Sequence, residues 1–197
     1  MNDVTGNDQT LNLISSLANI YRLKEIPRSG WLQSGISKDG VESIAAHSYG
    51  MAMLILYLRP VLLSRGVNVE RALNMALIHD IAESIVGDLT PQDKVSEGGK
   101  YRAEAAAFRQ IVSGVQTGEY FRDLWEDFED NQSPEAQVVK RIDKLDMLIQ
   151  AYLYEKKYGI RLDSFWENMD DLFKESESES IYTYIQLNRF QVKGNKV

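Results

Sequence analysis

One segment constrains the fold of this chain more than any other, because it is strongly apolar yet carries four chemically reactive side chains. Residues 73–82 are apolar almost all round, so a helix formed there should lie inside the protein. His79, Asp80 and Glu83 are set into this stretch, and Asp88 follows just after a glycine. An unpartnered carboxylate is costly to bury. An imidazole and a carboxylate on consecutive residues therefore suggest a metal site.

Composition narrows the classes of protein to which the chain can belong. It has 197 residues, 44% hydrophobic and 26% charged, which fits one globular domain. The absence of cysteine excludes disulfides, zinc–thiolate sites, iron–sulfur clusters and cysteine nucleophiles. A net charge of −7 without a Lys/Arg cluster argues against polymeric nucleic acid as a partner, but it allows a small phosphorylated substrate.

Targeting signals and membrane spans are not expected. The amino terminus lacks the basic and apolar regions of a signal peptide. The longest apolar run, near residues 51–63, is interrupted by Arg59 and Pro60 and is too short to span a bilayer. We therefore expect a soluble, cytoplasmic protein with no membrane partner.

Hydrophobic periodicity predicts an all-α protein. No segment favours a strand, residues 24–40 and 92–100 are expected to be loops, and residues 175–180 are expected to form a solvated acidic linker. Proline should bend or end the second helix at residue 60. The predicted helices cover residues 9–24, 42–57, 69–85, 100–115, 119–129, 134–157, 162–174 and 181–190.

Both histidines of the chain fall on apolar helices. His47 lies on the stripe formed with Met51, Leu54 and Leu58, which points inward. A lone inward histidine is more often a core residue than a ligand. Because the second histidine, His79, stands next to a carboxylate, we favour the ligand interpretation for both.

For several other residues the pattern leaves two interpretations open. Asp143 and Asp146 flank one apolar helix face, and either could point inward or lie at the surface. Arg28 and Trp31 lie in a predicted loop, where they could bind phosphate and an apolar group, or be a surface charge and a core residue. Asp88 could stand at the rim of a site or cap a helix.

The order His47, His79–Asp80 and Asp143 resembles the H…HD…D metal signature of the HD-domain phosphohydrolases. The similarity extends from about residue 11 to residue 158. It implies a single-domain HD-domain helical bundle over residues 1–197, with a core at 11–158 and a C-terminal helical extension at 159–197. More specific similarity to the 5′-deoxynucleotidase branch of that family is carried by the segments Pro27–Trp31, Ala46–Ser48 and Ile78–Pro91.

The resemblance also implies a metal centre. It favours Asp143 over Asp146 as the last ligand, and two imidazoles with two carboxylates suit manganese, cobalt, iron or zinc. A metal held there activates water and offsets phosphoryl charge. The implied ligands of one divalent ion are His47, His79, Asp80 and Asp143.

Roles in catalysis and substrate binding follow from the same resemblance. Glu83 would act as acid or base near the attacking water, and Asp88 would accept a hydrogen bond from the sugar 3′-hydroxyl. Arg28 would contact the phosphate, and Trp31 would crowd the 2′ position and favour deoxyribose. The implied reaction is hydrolysis of deoxyribonucleoside 5′-monophosphates to deoxynucleoside and phosphate, by a homodimer.

Two other functions remain open at this point. Other HD enzymes act on triphosphates, cyclic dinucleotides or guanosine tetraphosphate, and this chain could take one of those nucleotides. In a different class, the metal could merely stabilise a non-catalytic helical adaptor. The presence of Glu83 and Arg28 favours an enzyme.

Overall fold

The computed structural model describes residues 4–90, 93 and 96–189, with the backbone alone at residues 4–6 and 97. Within that range the chain is helical and has no strand, which confirms the predicted all-α class. Short 3₁₀ turns occupy Lys38–Gly40 and Asp163–Phe165. The α-helices are α1 Val4–Arg22, α2 Ser29–Gln33, α3 Ile44–Ser64, α4 Val69–Ile78, α5 Glu83–Val86, α6 Glu97–Val112, α7 Gly118–Asp130, α8 Pro134–Tyr158, α9 Asp170–Phe173 and α10 Glu179–Asn188.

Helices α3, α4 and α8 pack against one another and form the centre of the bundle. Helix α7 covers α4 and α8, while α6 packs on α5 and α7, and α1 lies against α5 and α6. Two apolar clusters meet along α8: Ile142 belongs to the first cluster, and Leu145 belongs to the second, which α10 also joins. The turn of α8 between these two residues therefore lies where both halves of the core converge.

Side-chain caps fix where the central helices begin. The Ser43 hydroxyl accepts a hydrogen bond from the Ala46 N–H at the start of α3, and Asn68 caps α4 in the same way. At α8, Ser133 is the cap, and Pro134 occupies the first helical position, as the sequence predicts.

The predicted continuous helix over residues 69–85 is interrupted in the structure. Helix α4 ends at Ile78, and α5 begins at Glu83. Between them the backbone bonds tighten to i→i+3, since the Ile81 N–H donates to Ile78 and the Glu83 N–H donates to Asp80. His79 and Asp80, expected on a continuous helix, thus lie on a tight turn between α4 and α5.

Helix α3 continues past Pro60 to Ser64 instead of ending there. Leu56, whose carbonyl loses its partner at Pro60, is exposed, so water can satisfy this group. By length and composition α3 is apolar enough to cross a membrane, with mean hydropathy 1.2. The core helices of globular proteins share these two properties. In this bundle His47, Met51 and Ile55 of α3 are fully buried.

The C-terminal extension differs from the prediction in two places. Residues 162–174 form a 3₁₀ turn and the short α9 rather than one helix. The acidic segment 175–180 is not a solvated linker, because Glu177 is buried and accepts two hydrogen bonds from the Arg141 guanidinium. This ion pair attaches the extension to α8. Within the predicted loop 92–100, residues 92, 94 and 95 lie outside the described residues, as do Pro91 and the last residue of the predicted helix 181–190.

Candidate metal centre and active site

Three separate parts of the fold bring the four predicted metal ligands together. His47 comes from α3, Asp143 from α8, and His79 and Asp80 from the turn after α4. Nε2 of His47 lies 3.1 Å from Oδ1 of Asp143 and 3.9 Å from Oδ2 of Asp80. Nε2 of His79 lies 3.1 Å from the same Asp80 oxygen. Residues separated by almost 100 positions in the chain thus converge on one point.

The donor atoms at this point fit a metal ion. Nε2 of His47, Nε2 of His79 and Oδ2 of Asp80 are buried and lie as close as 3.1 Å to neighbouring polar atoms, but among the described residues none of the three forms a hydrogen bond. Buried polar atoms are normally satisfied, so a group of three without partners requires an explanation. His47, His79 and Asp143 can offer ligand atoms that all lie within 4.8 Å of one another. Imidazole nitrogen and carboxylate oxygen are suitable ligands for a divalent transition metal.

Hydrogen bonds to the Nδ1 atoms set the directions of both imidazole rings. Nδ1 of His47 lies 2.7 Å from Oδ2 of Asp146, and Nδ1 of His79 lies 2.9 Å from the backbone carbonyl of Ala76. When Nδ1 donates its proton to these acceptors, the lone pair of Nε2 is left for a metal. Asp143 and Asp146 therefore both point inward, one towards each nitrogen of the His47 ring.

Charges within the cluster shift the acid–base behaviour of its members. Burial and Arg28 act to lower the pKa of His47, but the nearby Asp143 and the hydrogen bond with Asp146 outweigh them and raise this pKa to about 9. Burial acts to raise the pKa of Asp80, but the two histidines and Arg28 hold it well below its usual range. An excess of carboxylate charge thus favours a positive charge at the centre.

Glu83 behaves in the opposite way to Asp80. Burial raises the pKa of Glu83 well above its ordinary value, and the charges of Asp80 and Asp88 raise it further against the weaker effects of Arg28 and Lys100. Its Oε2 atom is buried without a hydrogen-bond partner among the described residues. A protonated carboxyl group beside ionised carboxylates can act as an acid or a base.

Arg28 and Asp88 are held side by side at the edge of this cluster. Nη1 of Arg28 lies 3.5 Å from Oδ2 of Asp80. Asp88, placed by the positive φ of Gly87 (+80°), accepts a hydrogen bond of 2.6 Å from the backbone N–H of Ser29. This hydrogen bond connects the segment that carries Arg28 to the segment that follows His79 and α5. Asp88 therefore caps the backbone at α2 and also stands at the rim of the cluster.

The structure does not bring Trp31 into this group. Its side chain is 1% exposed, and its Nε1–H donates to Oε1 of Glu42 at 2.9 Å. One face of its indole stacks on Phe165, with a centroid distance of 4.4 Å, and Tyr154 lies edge-on to it. The indole is thus enclosed by the second apolar cluster, below the surface that a substrate can reach.

A cavity of about 650 Å³ opens above the cluster. Its polar wall includes Asp80, Glu83, Asp88 and Asp143, and this volume is sufficient for a small molecule such as a nucleotide. Cationic side chains from the start of α2, from α6 and from α8 also line the cavity, and several aromatic rings form part of its apolar wall. These additional lining residues are Arg28, Lys100, Tyr101, Phe128, Lys140, Lys144 and Phe165.

Comparison with known proteins identifies the family. A model of the HD domain family matches residues 20–181. The chain belongs to the HD domain family. The 5′-deoxynucleotidase HDDC2 of Danio rerio is 37% identical over 170 residues, which cover 84% of this chain and 82% of the relative. The 5′-deoxynucleotidase hdd1 of Schizosaccharomyces pombe is 38% identical over 157 residues, which cover 77% and 76%.

Solved structures share the fold of this chain. The PH0347 protein from Pyrococcus horikoshii matches with a TM-score of 0.72 and 36% identity, over 88% of this chain and 96% of that protein. A conserved hypothetical protein from Pyrococcus furiosus matches with the same TM-score and 37% identity, over 89% and 98%. These likenesses confirm the predicted helical bundle.

Some residues of the HD-domain site were not found from the sequence. The sequence leaves Asp146 as an alternative to Asp143 as the inward carboxylate, but it does not indicate a contact between Asp146 and His47. Gly50 is the available signal for that contact, because an isolated glycine inside a helix often marks a close approach. A Cβ added at Gly50 would collide with Oδ1 of Asp146. Phe165 gave no sequence signal, since its place in the cavity depends on how the C-terminal extension folds back.

Proposed function

We propose that this protein is a metal-dependent 5′-deoxynucleotidase, which hydrolyses deoxyribonucleoside 5′-monophosphates to deoxynucleoside and phosphate. The observation that carries this proposal is the group of unsatisfied buried ligand atoms on His47, His79 and Asp80, of which His79 and Asp80 line a nucleotide-sized cavity. The substrate class is supported by the family, because relatives at 37% and 38% identity are named 5′-deoxynucleotidases.

The proposed cofactor is one divalent ion of manganese, cobalt, iron or zinc. When bound, such an ion activates water and offsets the charge of the phosphoryl group. The chain presents two imidazoles and two carboxylates as ligands. When both imidazoles are neutral, these ligands carry a net charge of −2, which balances a divalent ion. The proposed ligands are His47, His79, Asp80 and Asp143.

The proposed substrate contacts follow from the positions of three side chains around the cavity. Arg28 binds phosphate oxygens, since a guanidinium forms paired hydrogen bonds with this group. Asp88 has one oxygen on the Ser29 N–H and can accept the sugar 3′-hydroxyl with its remaining lone pairs. Glu83 holds or takes a proton at Oε2, as its raised pKa allows.

The position of Trp31 leads us to revise its proposed task. A buried indole with its N–H bonded to Glu42 has little surface left for a sugar. We infer that Trp31 affects the choice of deoxyribose through the residues it supports, rather than by crowding the 2′ position with its own ring.

We also propose a cytoplasmic homodimer with no nucleic-acid polymer and no membrane as partner. The cytoplasmic location is supported by the proposed substrate, which is a free nucleotide. An exposed apolar face on α1, which includes Leu11, Ile14 and Leu17, supports a second copy as partner, since such a face is costly in water. The division into a core at 11–158 and an extension at 159–197, within one domain over 1–197, stays a prediction.

The decisive experiment is phosphate release by metal-stripped protein, re-supplied with manganese, cobalt or zinc. The panel contains deoxy- and ribonucleoside monophosphates, triphosphates and cyclic dinucleotides. Asp80→Ala and Glu83→Gln are compared with the exposed substitutions Asp123→Asn and Glu70→Gln as matched controls. We expect metal-dependent release from deoxymonophosphates, reduced about a hundredfold or more in the two site variants and unchanged in the controls.

Other results would change the proposal in different ways. Activity confined to triphosphates or cyclic dinucleotides would keep the metal centre and overturn the substrate. No release from any nucleotide, by protein that binds metal, would favour the helical adaptor.

A further inference from the structure

The C-terminal extension contributes an aromatic side chain to the cavity. Phe165 ends the 3₁₀ turn Asp163–Phe165, and together with the neighbouring Ser164 it lines the same cavity as the histidine–aspartate cluster. Its ring is partly buried against the second apolar cluster. Phe165, which lies 79 positions after Val86 at the end of α5, thus reaches the site.

The ring of Phe165 is held in place from below. Trp31 stacks on it at a centroid distance of 4.4 Å and an interplanar angle of 27°. Because Trp31 is itself fixed by Glu42 and Tyr154, this support is rigid. Trp31 therefore covers one face of the phenyl ring of Phe165, a residue that also lines the cavity.

The turn that carries Phe165 is anchored through the two residues at its start, Leu162 and Asp163. The Leu162 N–H donates to Oε1 of Glu155 on α8, and Arg189 bridges Glu155 and Asp163 with hydrogen bonds of 2.6 and 2.9 Å. The position of the ring is thus defined by α8 and by the residue that follows α10. An aromatic wall fixed in this way loses little conformational entropy when a ligand stacks on it.

Phe165 lines the same cavity as Arg28, the proposed phosphate contact. A Cβ built on Gly30 would be 3.7 Å from the Phe165 ring, and Gly30 is two residues after Arg28. In a nucleoside monophosphate the base lies one sugar away from the phosphate, so a phosphate at Arg28 leaves the base within reach of this wall. Phe128, by contrast, is already covered by Lys140 and His79.

We propose that Phe165 is a specificity-determining residue, on whose open ring surface the nucleobase of the substrate stacks. This inference rests on the proposed function and extends it, because it assigns the C-terminal extension a part in substrate binding. Stacking tolerates all four bases, since each base has a π-face. The site then selects nucleotides over other phosphomonoesters without selecting one base.

The test measures turnover and binding for Phe165→Leu, which keeps apolar volume but removes the flat ring, and for Phe165→Tyr, which keeps the ring. Substrates are dAMP, dCMP and deoxyribose 5-phosphate, which has no base. We expect Phe165→Leu to raise KM for both nucleotides about tenfold. Turnover of deoxyribose 5-phosphate should not change, and Phe165→Tyr should resemble the wild type.

Two further variants serve as comparisons. Tyr184→Leu removes an exposed ring of the same extension outside the cavity and should have no effect. Tyr101→Leu removes another cavity ring; if it, and not Phe165→Leu, weakens nucleotide binding, the base stacks elsewhere and the inference is overturned. An equal loss with deoxyribose 5-phosphate would also overturn it.

Calorimetric binding of dAMP to each variant separates this inference from the proposed function. If the wild type releases phosphate and Phe165→Leu binds and turns over dAMP normally, the stacking role alone fails. If the wild type releases no phosphate from any nucleotide, the proposed function fails. In that event, base stacking on Phe165 is still supported if the wild type binds dAMP and Phe165→Leu does not. It is overturned if both proteins bind dAMP equally or if neither binds it.

Discussion

The carboxylate of Asp146 lies 2.7 Å from Nδ1 of His47, on the opposite side of the ring from the proposed metal site. This contact fixes the ring orientation and the tautomer that leaves Nε2 free for a ligand. Partners of this kind are worth about 10–100-fold in metal affinity. The fold makes room for Asp146 by placing a glycine, Gly50, opposite it on α3.

Substitution of Asp146 should therefore weaken metal binding without removing a ligand. We expect Asp146→Ala to raise the dissociation constant for manganese or zinc about 10–100-fold, and Asp146→Asn to have a smaller effect because its carbonyl still accepts the Nδ1–H. Calorimetry or chelator competition measures this change. The exposed Asp123→Ala is the control, and unchanged affinity in Asp146→Ala would contradict a positioning role.

The same contact makes Gly50 intolerant of a side chain. Gly50→Ala places a Cβ against Asp146, and the required shift should cost about 1–3 kcal/mol of unfolding free energy. Gly98→Ala, in the first turn of α6, meets no atom closer than 3.9 Å and should be neutral or stabilising. Urea unfolding of both variants checks this; equal stability of Gly50→Ala and wild type would show that Asp146 can move at no cost.

Local pattern was sufficient to predict the helical class and the inward direction of His47, because both depend on spacing along one helix. It left Asp143 and Asp146 unresolved. The reason is physical: both carboxylates point inward and serve the two nitrogens of one imidazole ring. An interpretation in which only one of the two aspartates points inward therefore could not describe the arrangement.

Tertiary packing determined the features that the sequence did not predict. The turn between α4 and α5 contains helix-forming residues, and the buried position of Glu177 depends on a distant arginine, Arg141. Phe165 reaches the cavity because an ion-pair network folds the extension back over Trp31. None of these contacts has a periodicity that a single sequence displays.

The raised pKa of Glu83 predicts a pH effect on the stability of the metal-free protein. A folded-state pKa above the unfolded value of 4.5 means that the folded state binds more protons, so stability falls as pH rises through that window. Glu83→Gln cannot ionise and lacks this loss. We therefore expect Glu83→Gln to gain stability relative to the wild type between pH 5 and pH 8, as measured by urea unfolding of chelator-treated protein.

The exposed Glu70→Gln is the matched control for this measurement, because it removes a carboxylate from the surface. Its stability should remain parallel to that of the wild type over the same pH range. If the Glu83→Gln curve is parallel as well, Glu83 is ionised in the folded protein, and its assignment as proton donor is wrong.

The Arg141–Glu177 pair should be the main polar anchor of the C-terminal extension. Both hydrogen bonds are 3.0 Å, and the Glu177 side chain is fully buried. Removal of the arginine leaves the fully buried Glu177 carboxylate without its partner, so Arg141→Met should cost about 3 kcal/mol. Arg141→Met/Glu177→Leu should recover most of that loss. Thermal unfolding checks both variants, and an additive loss in the double variant would contradict the pairing.

The proposed homodimer can be tested on the exposed face of α1. Leu11 and Ile14 are 58% and 59% exposed, although the sequence places them on the apolar stripe of that helix. A charge there should prevent association, because an ionised carboxylate would be buried without a partner. We expect light scattering to give twice the mass of one chain for the wild type and a single-chain mass for Ile14→Glu. Leu187→Glu, which changes a leucine on α10 that is 70% exposed, should remain a dimer. A monomeric wild type would overturn the homodimer, and dissociation by Leu187→Glu alone would move the interface from α1 to α10.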